Sequence, residues 1–363
     1  MKKKFPLRVV VAPLDWGLGH ATRCIPLIKS LLDAGCSVYV ACNSTAQSLF
    51  LQEFSNLHIL PLQGYNIRYT SSKRLFPFKI LQQIPKILFS IWYENRWLHK
   101  AVKQYGFDFV VSDNRYGFYH KNKPSFFITH QLHIQTPFPW LSKRLQNINY
   151  RFINRFKECW VPDFSFVPNL AGILSHPGQL PSIPVHYVGL MSRFSPQNRA
   201  KTKYKWLFIV SGPEPQRTIF EKLCCHAIAQ LNDAVLLIRG LPKKANTLDV
   251  PKHCTMFNHL PTKGLQTAFA ESEFIVSRAG YTTIMEIIAL QKKSILIPTP
   301  GQTEQEYLAK HLVQQQWCFS CQQGHDLFDQ MKKAETFPYQ FPHLAASTLQ
   351  DVVNSAILKK EFS

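Results

Sequence analysis

Two runs of strand-type sequence, Val9-Val10-Val11-Ala12 and Trp206-Leu207-Phe208-Ile209-Val210, each lead into a loop containing glycine and then into a segment of helical periodicity. Apolar, β-branched runs without polar alternation fit strands buried on both faces, as in a parallel sheet covered by helices. After the first run, Pro13 to His20 holds two glycines, and Ile25, Leu27-Ile28 and Leu31-Leu32 follow helical spacing. Ala34-Gly35 then ends the helix and Ser37-Val38-Tyr39-Val40 is the next strand. The same style predicts strands at His58-Ile59-Leu60, 107–111 and 125–128. A polar stretch, 191–203, breaks the pattern. It resumes with Trp206, a helix over 219–231, and strands at 234–238, 274–276 and 294–297.

Strands and helices alternating in both halves predict an α/β chain of two Rossmann-like domains with parallel sheets, 1–192 and 203–343. The length of 363 residues agrees, because a single core rarely grows beyond roughly 250–300 residues. With 45% hydrophobic and 18% charged residues, a mainly disordered chain is excluded. Charge distinguishes the halves: of 42 basic and 22 acidic side chains, the first 200 residues hold 24 and 8. That excess would attract phosphorylated ligands, anionic lipid or nucleic acid. Met1-Lys2-Lys3-Lys4 imitates a signal peptide, but Arg8 and Asp15 cut the apolar run short, and no stretch approaches the ~20 apolar residues of a membrane span. The nine cysteines are scattered, and Cys318 and Cys321 lack a second pair at zinc spacing, so reduced thiols in a cytoplasm are expected.

Ligands of such sheets bind beyond the carboxyl ends of the strands. The first such loop is Asp15-Trp16-Gly17-Leu18-Gly19-His20-Ala21-Thr22-Arg23. Gly17 and Gly19 fit a dinucleotide fingerprint, but Thr22 takes its third glycine position and Val40-Ala41-Cys42-Asn43 supplies no acid for a ribose, which disfavours NAD and FAD. What remains is a Gly-x-Gly loop opening a helix, able to receive an anion on its N–H groups, with His20 and Arg23 beside the acceptor. Asp113, ending a later strand, is the first choice to set the His20 tautomer, ahead of Asp15, and His130 would line the same region. In the second half, Ser211 and Gly212 follow the first strand. Ala279 and Gly280 let the backbone approach a ligand, Thr282 and Thr283 begin a helix suited to phosphate, and Glu286 lies one turn on, suited to a ribose diol. Gln302, Gln305 and Glu306 offer donors and acceptors to sugar hydroxyls.

The run Ser-Arg-Ala-Gly-x-x-Thr-x-x-Glu at 277–286, followed by Pro-x-x-x-x-x-x-Gln-x-Tyr at 298–307, resembles the donor signature of the family 28 glycosyltransferases. Their best known member is the N-acetylglucosaminyltransferase that completes lipid II. The Gly-x-Gly-His-x-x-Arg loop at 17–23 is closest in style to a group of predicted glycosyltransferases that carry it. The resemblance implies a GT-B fold: an acceptor domain and a nucleotide-sugar domain whose sheets face across a cleft, with a last helix, 344–363, packed back on the first. It implies Arg278, Ala279, Gly280 and Thr283 near the donor diphosphate, Glu286 near the ribose, Gln305 near the sugar, and a UDP-sugar donor with residues 257–260 near the base. Glu306 stands where the family has a second glutamine.

An inverting, metal-independent glycosyltransferase is therefore expected, with N-acetylglucosamine the first candidate sugar. No Asp-x-Asp occurs to hold a metal on a diphosphate, and neither metal nor cofactor is implied. His20 would be the base or orient the acceptor, Asp113 would set its tautomer, and Arg278 with the helix from Thr282 would stabilise the leaving group. Residues Lys73 to Lys103 hold seven basic side chains and one acid. As a helix from Lys86 they would place Ile87, Ile91, Leu98 and Val102 on one side and Phe89, Tyr93 and Trp97 opposite, flanked by Lys86, Arg96 and Lys100. Such a face fits an anionic bilayer, so a lipid-linked or phosphorylated acceptor and a peripheral place on the inner face of the cell membrane are expected. Two other readings stay open, a GT-B nucleotide-sugar epimerase and a basic nucleic-acid-binding protein, the second disfavoured because no nucleic-acid module is recognisable.

Overall fold

The computed structural model describes residues 6–65, 76–134, 139–195, 201–241, 248–344 and 347–361, without the side chains of 76–82, 139 and 359–361. They form two compact units, one built on 6–65, 80–134, 139–191 and 347–361, the other on 76–79, 192–195, 201–241 and 248–344.

In the first unit the order is β1 (Arg8–Pro13), α1 (Leu18–Asp33), β2 (Ser37–Cys42), α2 (Ser44–Glu53), β3 (His58–Pro61), α3 (Phe76–Tyr105), β4 (Phe109–Asp113), β5 (Ser125–Ile128), α4 (Pro139–Ile153), β6 (Glu158–Val161) and β7 (Val185–Tyr187). The sheet is parallel, in the order β3-β2-β1-β4-β5-β6-β7. The second unit contains β8 (Tyr204–Ile209), α5 (Gln216–Ile228), β9 (Val235–Ile238), β10 (Cys254–Phe257), α6 (Thr262–Ala270), β11 (Ser272–Ser277), α7 (Tyr281–Ala289), β12 (Lys293–Leu296), α8 (Thr303–Gln314), β13 (Phe319–Ser320) and α9 (Leu327–Glu335). Its parallel order is β10-β9-β8-β11-β12-β13. The last helix, α10 (Leu349–Glu361), packs on α1, where Gln350 Nε2 donates to the Ser30 carbonyl at 3.3 Å.

Burial explains the unbroken apolar runs: Val9 to Ala12, Phe109 to Val111 and Trp206 to Phe208 have no exposed surface. The strands not foreseen are short or carry a charge, such as Glu158 in β6, which is buried 3.5 Å from His186 Nε2. All nine cysteines are thiols without disulfides, and no helix among the described residues is long and apolar enough to cross a membrane. In each sheet the strand order reverses once, between β1 and β4 and between β8 and β11. At such a point the loops diverge to opposite faces and leave a crevice. Pro13 pairs with Asp113 and Ile209 with Ser277, so both crevices begin at known residues.

One expectation needs correction. α3 buries Ile91, Leu98 and Val102, but Tyr93 and Trp97 do not lie on its open face. The loop after β4 covers them: Trp97 stacks on Phe118 at 6.0 Å, and Asn95 Nδ2 donates to the carbonyls of Gly117 and Tyr119 at 3.0 and 2.9 Å. Gly117 comes so close that a Cβ there would stand 2.0 Å from the Ile91 carbonyl oxygen. A helical projection cannot register a loop contributed by later residues. The open face instead carries Ile84, Leu88, Phe89 and Trp92 among Lys86, Arg96 and Lys100. Lys73 and Arg74 lie outside the described residues.

Candidate active site

The loop after β1 turns at Gly17, whose φ of +85° a side chain would strain, and α1 starts at once. With glycine as its cap, the helix presents first-turn N–H groups that have no intrahelical partner. His20 and Arg23, three apart, share one face of α1. That face meets the end of β4. His20 Nδ1 lies 3.1 Å from Asp113 Oδ2, and Arg23 donates to the same carboxylate from Nε, at 2.9 and 3.1 Å, and from Nη2. Arg23 Nη2 is also 2.9 Å from His20 Nδ1, and Nη1 is 3.0 Å from His130 Nδ1. The spacing of the Gly-x-Gly-His-x-x-Arg motif thus lets a helix bring a histidine and an arginine to one buried acid.

Complete burial by itself would raise the Asp113 carboxyl, but Arg23 and then His20 outweigh it and hold it at about 2. For His20, burial and then Arg23 lower the pKa, and Asp113 does not make up the difference. The imidazole is neutral at pH 7 with 15% of its side chain exposed, the state a general base requires. Arg23, expected beside the acceptor, is instead buried within this cluster, because a cation in that position needs anionic and polar partners. Asp15 is engaged elsewhere: Oδ1 accepts the Tyr65 N–H at 3.0 Å and lies 3.7 Å from Arg115 Nη2. Beside it, Gly17, Leu18, Asn43 and Thr45 line a pocket where α1 and α2 begin.

In the second unit, Gly280 caps α7, Ala279 is buried, and Thr282 and Thr283 sit in the first turn, which holds no acid. Ser211 and Gly212 follow β8, the neighbour of β11. Glu286 is buried, and its Oε1 accepts from Arg193 Nε at 2.7 Å, while Arg193 Nη1 donates to Thr262 Oγ1 at 3.1 Å. Burial raises the Glu286 pKa against the opposing pull of Arg193. Gln302, Gln305 and Glu306 meet around the loop before α8. Gln305 Oε1 accepts the Thr299 N–H at 2.9 Å, Gln305 Nε2 donates to Gln302 Oε1 at 2.5 Å, and Glu306 Oε1 accepts the Gly301 N–H at 3.1 Å.

Arg278, expected near the diphosphate, is held by groups of the second unit itself. Its guanidinium is buried over the Phe220 ring at 4.2 Å. Nη1 donates to the carbonyls of Ile297 and Pro298, both at 3.3 Å, and Nη2 to the Gln216 carbonyl at 3.1 Å and Gln323 Oε1 at 2.6 Å. Burial lowers its pKa to about 10, which leaves it charged at pH 7. The chain beyond β12 leaves carbonyls without strand partners, and this side chain turns inwards to satisfy them.

Residues 228–350 match the glycosyltransferase family 28 C-terminal domain. Nearly the whole chain also superposes on solved glycosyltransferases. Spinosyn rhamnosyltransferase SpnG shares 13% identity at a TM-score of 0.65, over 98% of this chain and 95% of that one. MurG of Acinetobacter baumannii shares 17% at 0.57, over 97% and 100%. This chain has the GT-B fold and carries a family 28 glycosyltransferase domain over residues 228–350. By sequence, no curated protein matches it.

The matched segment of the transferase runs from the end of α5 to the start of α10 and contains both 278–286 and 302–306. Sequence reading missed Arg193, which lies in the polar stretch between the two strand-and-helix patterns and meets Glu286 only through the fold. It also missed Arg239, at the end of β9, which donates to Glu221 Oε1 at 2.7 Å and to Asn258 Oδ1 at 3.0 Å. An arginine ending a strand was the available signal there. Phe257, expected near the base, ends β10 and is exposed.

Proposed function

We propose that this transferase moves a sugar, N-acetylglucosamine the first candidate, from a UDP-sugar to a hydroxyl of a phosphorylated or lipid-linked acceptor in one inverting, metal-independent displacement. The contact of His20 with Asp113 where the strand order reverses carries this reading. His20 Nε2 takes the acceptor proton while Nδ1–H donates to Asp113. The acceptor oxygen bonds to the anomeric carbon, the bond from that carbon to the diphosphate oxygen breaks, and the nucleoside diphosphate departs. The N-terminus of α7, with Thr282 and Thr283, receives the leaving charge. Glu286 binds the ribose, and Gln302, Gln305 and Glu306 bind the sugar.

Nucleotide donors are supported by two of the superposed structures, SpnG with thymidine diphosphate and the glycosyltransferase VinC with dTDP. VinC shares 14% identity with this chain at a TM-score of 0.55, over 98% of this chain and 100% of that one. Uridine is preferred here because the donor signature resembles family 28. Peripheral association with an anionic, cytoplasmic membrane face is supported by α3, where Phe89 and Trp92 are 62% and 51% exposed and Arg96 lies over the Trp92 ring. On α4, Trp140 is 63% exposed with Arg144 over its ring.

The test combines titration of UDP-, dTDP- and GDP-sugars with turnover assays using lipid extracts as acceptor. A UDP-sugar should bind and be consumed only with acceptor present. His20→Ala should keep that binding and lose about 100-fold or more in turnover. Wild-type turnover in His20→Ala would sink the base assignment, and conversion of the UDP-sugar without acceptor would favour an epimerase.

A further inference from the structure

Three side chains at the end of β4 are tied together by one guanidinium. Arg23 is 1% exposed and reaches Asp113 through Nε and Nη2, His20 through Nη2, and His130 through Nη1. A ring nitrogen that accepts from arginine cannot itself carry a proton, so His130 is held with its proton on Nε2, as a donor. At His20 the two charges compete for the same nitrogen. Asp113 Oδ2 at 3.1 Å favours a proton on Nδ1, whereas Arg23 Nη2, which donates to Asp113 Oδ1 and lies 2.9 Å from Nδ1, opposes it through its charge. A buried carboxylate alone beside the imidazole would stabilise the imidazolium and keep the base protonated; Arg23 cancels much of that field.

The groups that face His20 are Arg23 and Cys24 on α1, Asp113 on β4 and His130 after β5. The Cys24 thiol donates to Asp113 Oδ2 at 3.7 Å, and burial keeps it protonated, so it brings no charge. The balance at His20 is therefore set by one cation and one anion that hold each other.

We propose that Arg23 is a positioning residue of the transfer reaction: one guanidinium holds Asp113 ionised, sets the tautomer of His130, and fixes the pH at which His20 can accept a proton. Its catalytic meaning rests on His20 being the base, whereas the titration it predicts does not. The spacing of His20 and Arg23 along α1 then has one cause, since only residues on the same helical face can share Asp113.

The experiment is a ¹⁵N NMR titration of the full chain labelled at histidine, with His20 and His130 assigned by His20→Ala and His130→Asn. In Arg23→Gln the uncompensated Asp113 should raise the His20 midpoint by about one pH unit or more. Arg23→Lys should restore most of the wild-type value, and Asp113→Asn should move the midpoint the opposite way, downwards. His130 should show the Nε2–H tautomer in the wild type and lose that preference in Arg23→Gln. A purely structural Arg23 would lower stability and leave both signals in place. An unmoved His20 midpoint in folded Arg23→Gln overturns the proposal. If that variant does not fold, an unmoved midpoint in Asp113→Asn does so. The two readings fail separately: turnover that survives His20→Ala removes the base while the midpoint shift stands. An acid limb of kcat/KM that ignores the shifted midpoint removes the link to the reaction.

Discussion

Arg278→Met should weaken the second unit and leave its hold on a nucleotide nearly intact. Methionine keeps most of the volume and the contact with Phe220. It removes the donor to four acceptors, the carbonyls of Ile297, Pro298 and Gln216 and the Gln323 side-chain oxygen. A hydrogen bond from a charged group contributes about 1.5–3 kcal/mol, and a buried acceptor left unsatisfied costs about 1–3 kcal/mol. These terms do not add, and removing the cation also removes its desolvation cost, so a net loss of about 3–4 kcal/mol is expected. For a unit of about 150 residues, at ~2–4 °C per kcal/mol, the transition should fall by roughly 6–16 °C. Calorimetry reads it, and the second unit's transition is the one that bound nucleotide raises. Measured well below that transition, Kd for UDP or dTDP should stay within about threefold of wild type. If Arg278 held the diphosphate, the pattern would invert, with little change in Tm and a Kd weakened about 30-fold for the loss of ~2 kcal/mol. That inverted pair of results refutes the reasoning.

The remaining predictions concern the first unit. Asp113 titrates at about 2 in the fold against 3.8 unperturbed, so the unfolded chain takes up the proton first as pH falls; about 2 kcal/mol of stability present above pH 4 should be lost by pH 2. Asp113→Asn should begin less stable, with Arg23 uncompensated, yet lose about 2 kcal/mol less over that interval in urea unfolding; equal acid slopes would show that the carboxylate is not held down. Anionic vesicles should sediment the chain at low salt and release it at high salt, each basic residue near the surface contributing about 1 kcal/mol. Phe89→Ser with Trp92→Ser should weaken that binding several-fold, whereas salt-insensitive binding, or none, would dispose of the membrane face.

Local spacing determined what could be read in advance. Both-face burial makes Val9 to Ala12 and Trp206 to Phe208 unbroken apolar runs, and Gly17 must sit where φ is +85°. Helical geometry puts His20 and Arg23 on one face and Thr282 and Thr283 at an N-terminus. The direction in which a charged side chain points is not local. Arg278 follows a strand two residues before Gly280, as a ligand-facing cation would, yet its partners lie 19 to 62 residues away in sequence. Arg193 and Trp97 escaped the sequence reading for the same reason, since Glu286 and the loop at Phe118 that meet them belong to distant segments. This changes the meaning of the basic first half. Arg23 and Arg115 are buried against Asp113 and Glu94 and present no charge outwards. Lys86, Arg96 and Lys100 on α3 and Lys143 and Arg144 on α4 are exposed. An excess that reads in the sequence as one basic field is, in the fold, divided between a cation that tunes a histidine from within and a surface where aromatic side chains and basic groups stand together.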